Sequence, residues 1–484
     1  MKRERRKTWR NHTGNQRIAP LQICRAETLE DLVSLVREAE ESRSTVRAVG
    51  SGHSWSDVAL CRGFLVDTRG LGRELDLRAD LLRQEADANA LIRVEAGMRI
   101  RELNAALARG GRALSNMGGY DGQTVAGVIS TSTHGSGIGF GPLSSFVRSL
   151  ELVASEGRLF RIEPADGPTD RARHEERNPD WTLVQDDHWF RAAVVGMGCL
   201  GLIYAATLAV EPAYLLTEVR RPKPWSDVAD DLREGAVLRG NRHYEAYLNP
   251  HRREGRNLCM VTTRNPAEPG DRGEPSRRRN SIPEFLAMLP ITPIVARTLV
   301  TLRPSLSPFL VDRALSALAD EEYTSASYKV LNIGTANLLP AYSGEIAVPL
   351  DDDETHIRAV ERILEVAERH VRLGSVYHTS PIALRFVRAS DAYLSMMEGR
   401  DTMMIELIQM KGTEGGVELL AAYEEALYEL GARAHWGQLN NLTPDRLRSG
   451  YPHFGEWLDV QRQLNRTGVF DSPFAERVGI EEER

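Results

Sequence analysis

The residues best equipped for chemistry stand in and around three glycine-rich segments. The first, Val49 to Asp57, reads VGSGHSWSD. Gly50 and Gly52, flanking Ser51, let the backbone turn tightly and bring bare N–H groups against a ligand. His53 follows at once, beside Ser54 and Trp55, which would set a reactive imidazole on a ligand-cradling loop; taken alone, such a histidine fits a structural or capping role equally well. The second segment, Asn116 to Gly141, reads NMGGYDGQTVAGVISTSTHGSGIGFG. Small side chains allow close approach, the hydroxyls of Thr131, Ser132, Thr133 and Ser136 can donate, and consecutive N–H groups run without proline, which is what cradling a phosphate requires. A plain glycine-rich loop between strands is the alternative. The third, Gly196 to Gly201, is GMGCLG and matches GxGxxG. A dinucleotide fingerprint needs a helix directly after it, whereas LIYAATLAV (Leu202 to Val210) reads as extended, so a Rossmann site is disfavoured. HExxH, Walker A and GxSxG motifs are missing, which removes the zinc protease, P-loop and serine hydrolase readings.

Elements must hold these segments in place. From Pro20 to Val210 short β-like runs alternate with helical stretches and glycines, a mixed α and β pattern. TLEDLVSLVREAEES (Thr28 to Ser42) opens on a Thr cap and puts Leu29, Leu32, Val33 and Val36 on one helical face; TVRAVGSG then turns extended, giving helix, strand and glycine loop. IRELNAALARGG (Ile100 to Gly111) predicts a second amphipathic helix closed by a left-handed glycine. Asn265 to Pro283, rich in Pro, Gly and Arg, reads as an exposed loop or linker. Beyond it SGEIAVPL (Ser343 to Leu350) predicts a strand, THIRAVERILEVAERH (Thr355 to His370) an amphipathic helix, and SPIALRFVRASDAYLSM (Ser380 to Met396) begins strand-like: a second α+β domain. From about Gly415 come a helix, LLAAYEEALYEL, the loop ARAHWGQLNN and a tail containing proline. No internal repeat of fixed period is present.

Composition narrows the classes further. The chain has 484 residues, 42% hydrophobic, with 61 Lys and Arg against 68 Asp and Glu, a net charge of −7. That length accommodates more than one core, and the acidic balance argues against nucleic acid as a partner. Of the cysteines Cys24, Cys61, Cys199 and Cys259, no two stand at CxxC spacing, so neither a disulfide framework nor a cysteine zinc site is expected, and no metal is assigned. The basic N-terminus leads into no apolar stretch of a signal peptide, and no apolar run approaches the length of a membrane span; a cytoplasmic location is the expectation.

In order along the chain, GSGHSWSD, TVAGVISTSTHGSG, GCLGLIYAATLAV, HWGQ and YPHFGEWLDVQRQLN resemble the vanillyl-alcohol-oxidase superfamily, in particular its branch of sugar-1,4-lactone oxidases and alditol oxidases. The resemblance runs from about Asn15 to the terminus. It implies an α+β protein with a two-part FAD-binding domain of the p-cresol methylhydroxylase type (15–213), an α+β cap over the flavin (214–414) and a C-terminal segment returning to it (415–484). The cofactor it implies is FAD, covalently attached through His53, with Gly50, Ser51, Gly52 and Ser54 shaping the loop. Thr124, Gly127, Ser130, Thr131, Thr133, His134, Gly135 and Ser136 would bind the pyrophosphate and flavin edge, the backbone of Ile203 the adenine, and His435 would lie at the flavin. The GxGxxG would then be a tight turn between strands.

Two departures from the family pattern bear on the substrate. Where relatives carry Glu-x-Arg on a cap strand, this chain reads Ala383-Leu384-Arg385; where they carry HWGK or HWAK, it reads His435-Trp436-Gly437-Gln438. A lost carboxylate and a lost cation together point away from a standard polyol or aldonolactone. Candidate replacements are Glu406 on the strand-like RDTMMIELIQM, Glu345 in SGEIAVPL, and His378 as a base, with an ion-pair or surface role as the alternative for each. Asn440 and Asn441 could add hydrogen bonds; Met396, Met397, Met403, Met404 and Met410 read as core packing or as an apolar pocket. The expected function is oxidation of a CH–OH group of a small molecule by hydride transfer to flavin N5, with O2 as acceptor. Alternatives are a dehydrogenase using a quinone or cytochrome, oxidation of an amine or a less hydroxylated substrate, and flavin binding without turnover. The oligomeric state stays open.

Overall fold

The computed structural model describes all residues except 6, 272, 274–297, 299, 320–321, 334–339 and 481–484. Thr28 accepts a hydrogen bond from the Asp31 N–H and starts helix Leu29–Glu41, whose Leu32, Leu35, Val36 and Ala39 are buried. That apolar stripe packs on a four-stranded sheet ordered Lys2–Arg5, Gln22–Arg25, Phe64–Asp67, Val46–Val49, the last three strands parallel. The helix is thus the crossover that delivers strand Val46–Val49 to the first glycine loop. A six-stranded sheet, ordered Trp181–Gln185, Leu159–Glu163, Val147–Val153, Leu202–Ala209, Leu91–Glu95, Glu74–Leu75, carries the other two glycine segments.

The cap is an eight-stranded antiparallel sheet ordered Glu322–Ala326, Leu215–Pro224, Leu258–Pro266, His243–Leu248, Ile382–Val387, Thr402–Met410, Ala341–Pro349, Arg433–Ala434. Period-two alternation assigns its faces. Tyr244, Ala246, Leu248, Leu384, Phe386, Met403, Ile405, Leu407, Ile346 and Val348 point back into a core shared with helices Trp225–Glu234, Thr355–Gly374 and Gly416–Leu427. Glu245, Tyr247, Ala383, Arg385, Glu406, Ile408, Ser343 and Glu345 point forward into a cavity.

Helix Ile100–Arg109 closes, as expected, on a left-handed glycine, Gly111 (φ +65), which follows Gly110 (φ −89). Several other expectations are corrected. TVAGVIS is a short helix, Val125–Ser130, within the second segment. GMGCLG links helix Asp187–Ala193 to strand Leu202–Ala209, not two strands. Of the expected linker, Asn265 and Pro266 close strand Leu258–Pro266, and residues 274–283 lie outside the described residues. The C-terminal segment divides between both parts: helix Gly416–Leu427 and strand Arg433–Ala434 join the cap, whereas Leu447, Phe454, Trp457, Leu464, Phe474 and Val478 fill the core under the six-stranded sheet. Of the methionine cluster, Met396, Met397, Met403 and Met404 are core residues and Met410 lines the cavity. Among the described residues no helix is long and apolar enough to cross a membrane.

Candidate active site

A cavity of about 690 Å³ lies between the glycine segments and the forward face of the cap sheet. Gly50, Ser51, Gly52, His53, Ser54, Thr124, Gly127, Ser130, Thr131, Thr133, His134, Ile203, Glu345, Arg385, Glu406, His435 and Gln438 all line it. The first two segments dovetail: a Cβ on Gly50 would stand 2.1 Å from Thr124 Oγ1, and Ser51 Oγ donates to the Gly122 carbonyl at 2.6 Å. The HWGQ loop closes on them, since Trp55 N–H donates to Gly437 O (2.8 Å) and Ser56 Oγ to Trp436 O (2.6 Å).

His53 stacks on His12 (centroids 4.1 Å apart, 7° between planes) and on Tyr120 (4.4 Å, 28°), with Trp55 edge-on. Burial, reinforced by His12, depresses its pKa to about 3, so the imidazole is neutral at physiological pH and keeps a nucleophilic lone pair. Neither His12 nor Tyr120 was foreseen, because nothing in the linear order ties them to His53.

Opposite stands a belt of charge. Arg385 Nη1 is 2.8 Å from Glu406 and 3.5 Å from Glu345, and its Nε is 3.7 Å from Glu245. Glu245 also pairs with Arg264 (2.5 Å), which bonds Glu218 at 2.7 Å. Strand register makes this possible: Glu406 is the cross-strand partner of both Ala383 and Glu345, and Glu245 of Arg385. Although burial pushes Arg385 down, Glu406, Tyr247, Glu345 and Glu245 outweigh it and raise its pKa. Glu245 and Tyr247 escaped the sequence reading, yet their alternation in HYEAYL was the available signal.

Glu345 lies between two imidazoles, 3.2 Å from His134 Nε2 and 4.0 Å from His435 Nε2. Burial raises its pKa, but His134, His435 and Arg385 prevail and hold it at about 2. His435 is pushed down to about 4, chiefly by burial. His435 Nδ1 accepts the Gly437 N–H at 2.9 Å, so in the neutral ring Nε2 carries the proton, 4.0 Å from Glu345. That tautomer disfavours a metal at the buried His134, Glu345, His435 trio. Because the folded pKa of Glu345 lies below its usual 4.5, its contribution to stability is complete above that pH and is lost as pH falls from 4.5 towards 2. Denaturant titrations should find Glu345→Gln less stable than wild type at neutral pH, with the gap closing across that acid window. A gap independent of pH would contradict the ion pair.

Five expected site residues are elsewhere. His378 is fully buried behind the sheet beside Tyr423, has no hydrogen-bond partner for either ring nitrogen among the described residues, and does not line the cavity. Burial holds its pKa at about 3, which removes it as a proton acceptor for substrate. His378→Phe is expected to leave kcat within about twofold and stability unchanged or higher, since two unsatisfied buried nitrogens disappear; a tenfold loss of kcat would return it to the reaction. Gly135 packs against Asn116, with no room for a Cβ, and Ser136 clamps the cap by donating to Tyr244 O and accepting the Phe386 N–H at 3.1 Å. Neither lines the cavity. Asn440 accepts from Arg477 through Oδ1, the backbone N–H of Asn441 donates to Glu424, and neither residue lines the cavity.

The chemistry of this wall suits a flavin. Backbone turns stripped of side chains, a neutral histidine at the cavity edge, and the buried Gln438 Oε1, which has no hydrogen-bond partner among the described residues, offer what an isoalloxazine and a pyrophosphate need. Fold and site together define an FAD-dependent oxidoreductase acting on CH–OH groups. Residues 20–163 match an FAD binding domain and residues 206–478 match D-arabinono-1,4-lactone oxidase; the chain belongs to that family, within the vanillyl-alcohol-oxidase superfamily. It is 27% identical to L-gulono-1,4-lactone dehydrogenase of Mycobacterium tuberculosis (97% of this chain, 98% of that one). It is 27% identical to alditol oxidase of a Streptomyces species (96% and 97%) and 26% to L-gulonolactone oxidase of Mus musculus (91% of each). Among solved structures, cholesterol oxidase from B. sterolicum superposes with a TM-score of 0.78 at 15% identity over 99% of this chain and 97% of that one, a likeness of fold.

Proposed function

We propose that the protein oxidises a CH–OH carbon of a neutral polyhydroxylated compound, an aldonolactone or alditol, with O2 as the electron acceptor. The observation that carries this is the placement of Glu406 directly across from Ala383, 2.8 Å from Arg385. A carboxylate missing from one strand is supplied by its neighbour, and alanine leaves the space for it to reach the same guanidinium. The loss at position 383 therefore no longer argues against a polyol. Glu406, Glu345 and Glu245 offer acceptors for substrate hydroxyls, and their pairing with Arg385 disfavours an anionic substrate.

Bound FAD, held through His53, supplies the hydride acceptor. Arg385 stabilises negative charge developing on the substrate oxygen, and Glu406 takes the hydroxyl proton. Gln438 orients by its amide, since it has no charge to lend. Similarity to both oxidases and a dehydrogenase makes the acceptor the point to test.

Anaerobic addition of aldonolactones, alditols and apolar alcohols should bleach the flavin with members of the first two groups only, and air should restore the colour with release of hydrogen peroxide. Bleaching by apolar alcohols alone would refute the polyol reading; recovery only with a quinone or cytochrome would make the protein a dehydrogenase. Glu406→Ala should lower kcat/KM by about 100-fold, about 3 kcal/mol, and Ala383→Glu in that background should restore part of it. No rescue would mean that Glu406 acts from its own position rather than in place of residue 383.

A further inference from the structure

Strand Val46–Val49 is buried, yet it carries an arginine. Arg47 is 1% exposed and makes no ion pair with any described carboxylate; its guanidinium is spent on backbone carbonyls from three segments and on the Cys199 thiol, 3.8 Å from both Nη atoms. Nε donates to Val58 O at 2.5 Å, Nη1 to Phe470 O at 3.4 Å, and Nη2 to Met197 O, while Phe474 lies 5.7 Å beneath the guanidinium carbon. A buried cation with only neutral partners is costly unless an anion comes close.

The stretch of cavity wall that Arg47 bonds is the turn at Met197 and Gly198. Met197 and Gly198 line the cavity with consecutive positive φ values, +47 and +77, a conformation that a methionine resists. Arg47 holds that turn from behind: a Cβ on Gly198 would point to its guanidinium carbon at 3.5 Å. The flavin-side wall carries no lysine or arginine among the described residues; Arg220, Arg385 and Lys411 come from the cap. Two phosphates on that wall must be met by N–H groups and by charge standing behind them.

We propose that Arg47 is a cofactor-positioning residue, which keeps the Met197–Gly198 turn in its strained form and places a positive charge behind the wall that receives the phosphates of FAD. It also couples the tail to the cofactor, because Val46 N–H donates to Val469 O (2.8 Å) next to the Arg47 bond to Phe470. The proposal rests on FAD occupying this cavity.

His53→Ala, in which FAD exchanges freely, is the parent for the test. FAD titration of the apoprotein and thermal melts with and without FAD are compared in the parent, in Arg47→Met and in Arg47→Lys. For Arg47→Met, FAD affinity is expected to fall at least about tenfold, with a smaller FAD-induced rise in Tm than in the parent. A purely structural role lowers the apo and holo Tm together and leaves the FAD-induced rise intact, and that result would overturn the proposal. Should Arg47→Met not fold, Arg47→Lys decides by the same criterion. Failure of the parent itself to bind FAD would count against the FAD reading, not against Arg47.

Discussion

Arg385→Met is expected to lower kcat at least about 100-fold and to destabilise the protein by about 3 to 5 kcal/mol, the usual consequence of removing one partner from a buried ion pair. The guanidinium stands among Glu406, Glu345 and Glu245 at 2.8, 3.5 and 3.7 Å, and without it the carboxylates confront one another in a buried site. Methionine fills the space of the side-chain stem but returns no charge. Arg385→Lys should rescue poorly, because a single ammonium cannot address carboxylates on strands at either side. Steady-state kinetics beside a thermal melt checks both parts, and a variant with wild-type Tm and a kcat loss under tenfold would remove Arg385 from the reaction. A large stability loss together with a full kcat per bound flavin would instead make it purely structural.

The second large effect concerns His53. His53→Ala is expected to abolish covalent flavin: after acid precipitation the yellow colour should move from pellet to supernatant. The ring fits nucleophilic attack on the flavin's 8α carbon, being neutral to about pH 3 and gripped between His12 and Tyr120. Alanine removes the nucleophile and also one layer of that stack. A variant that still precipitates yellow would place the link on another residue.

Much of this was readable in the sequence, for reasons tied to particular residues. Helix Leu29–Glu41, strand Ile382–Val387 and strand Thr402–Met410 follow from apolar spacing that depends only on local geometry. The glycine segments are legible because few residues other than glycine can form Gly52 (φ +65) or allow the approach of Thr124 to Gly50. His378 misled because a histidine four residues before a strand looks the same whether it faces a cavity or a core. The turn at GMGCLG was legible as a turn, but not which element precedes it, since AAVV suits helix or strand equally.

Amino-acid order alone therefore determines which residues share a face: Ala383 with Arg385, Glu245 with Tyr247, and Glu406 with Ile408, through a period of two that any strand must obey. Only the tertiary structure decides which strands become neighbours and in what register. The pairing of Glu406 with Ala383 and Glu345, the stacking of His12 on His53, and the reach of Arg47 to Phe470 all join residues far apart in the chain. Such contacts arise when the whole apolar surface is buried at once, and local sequence holds no record of them.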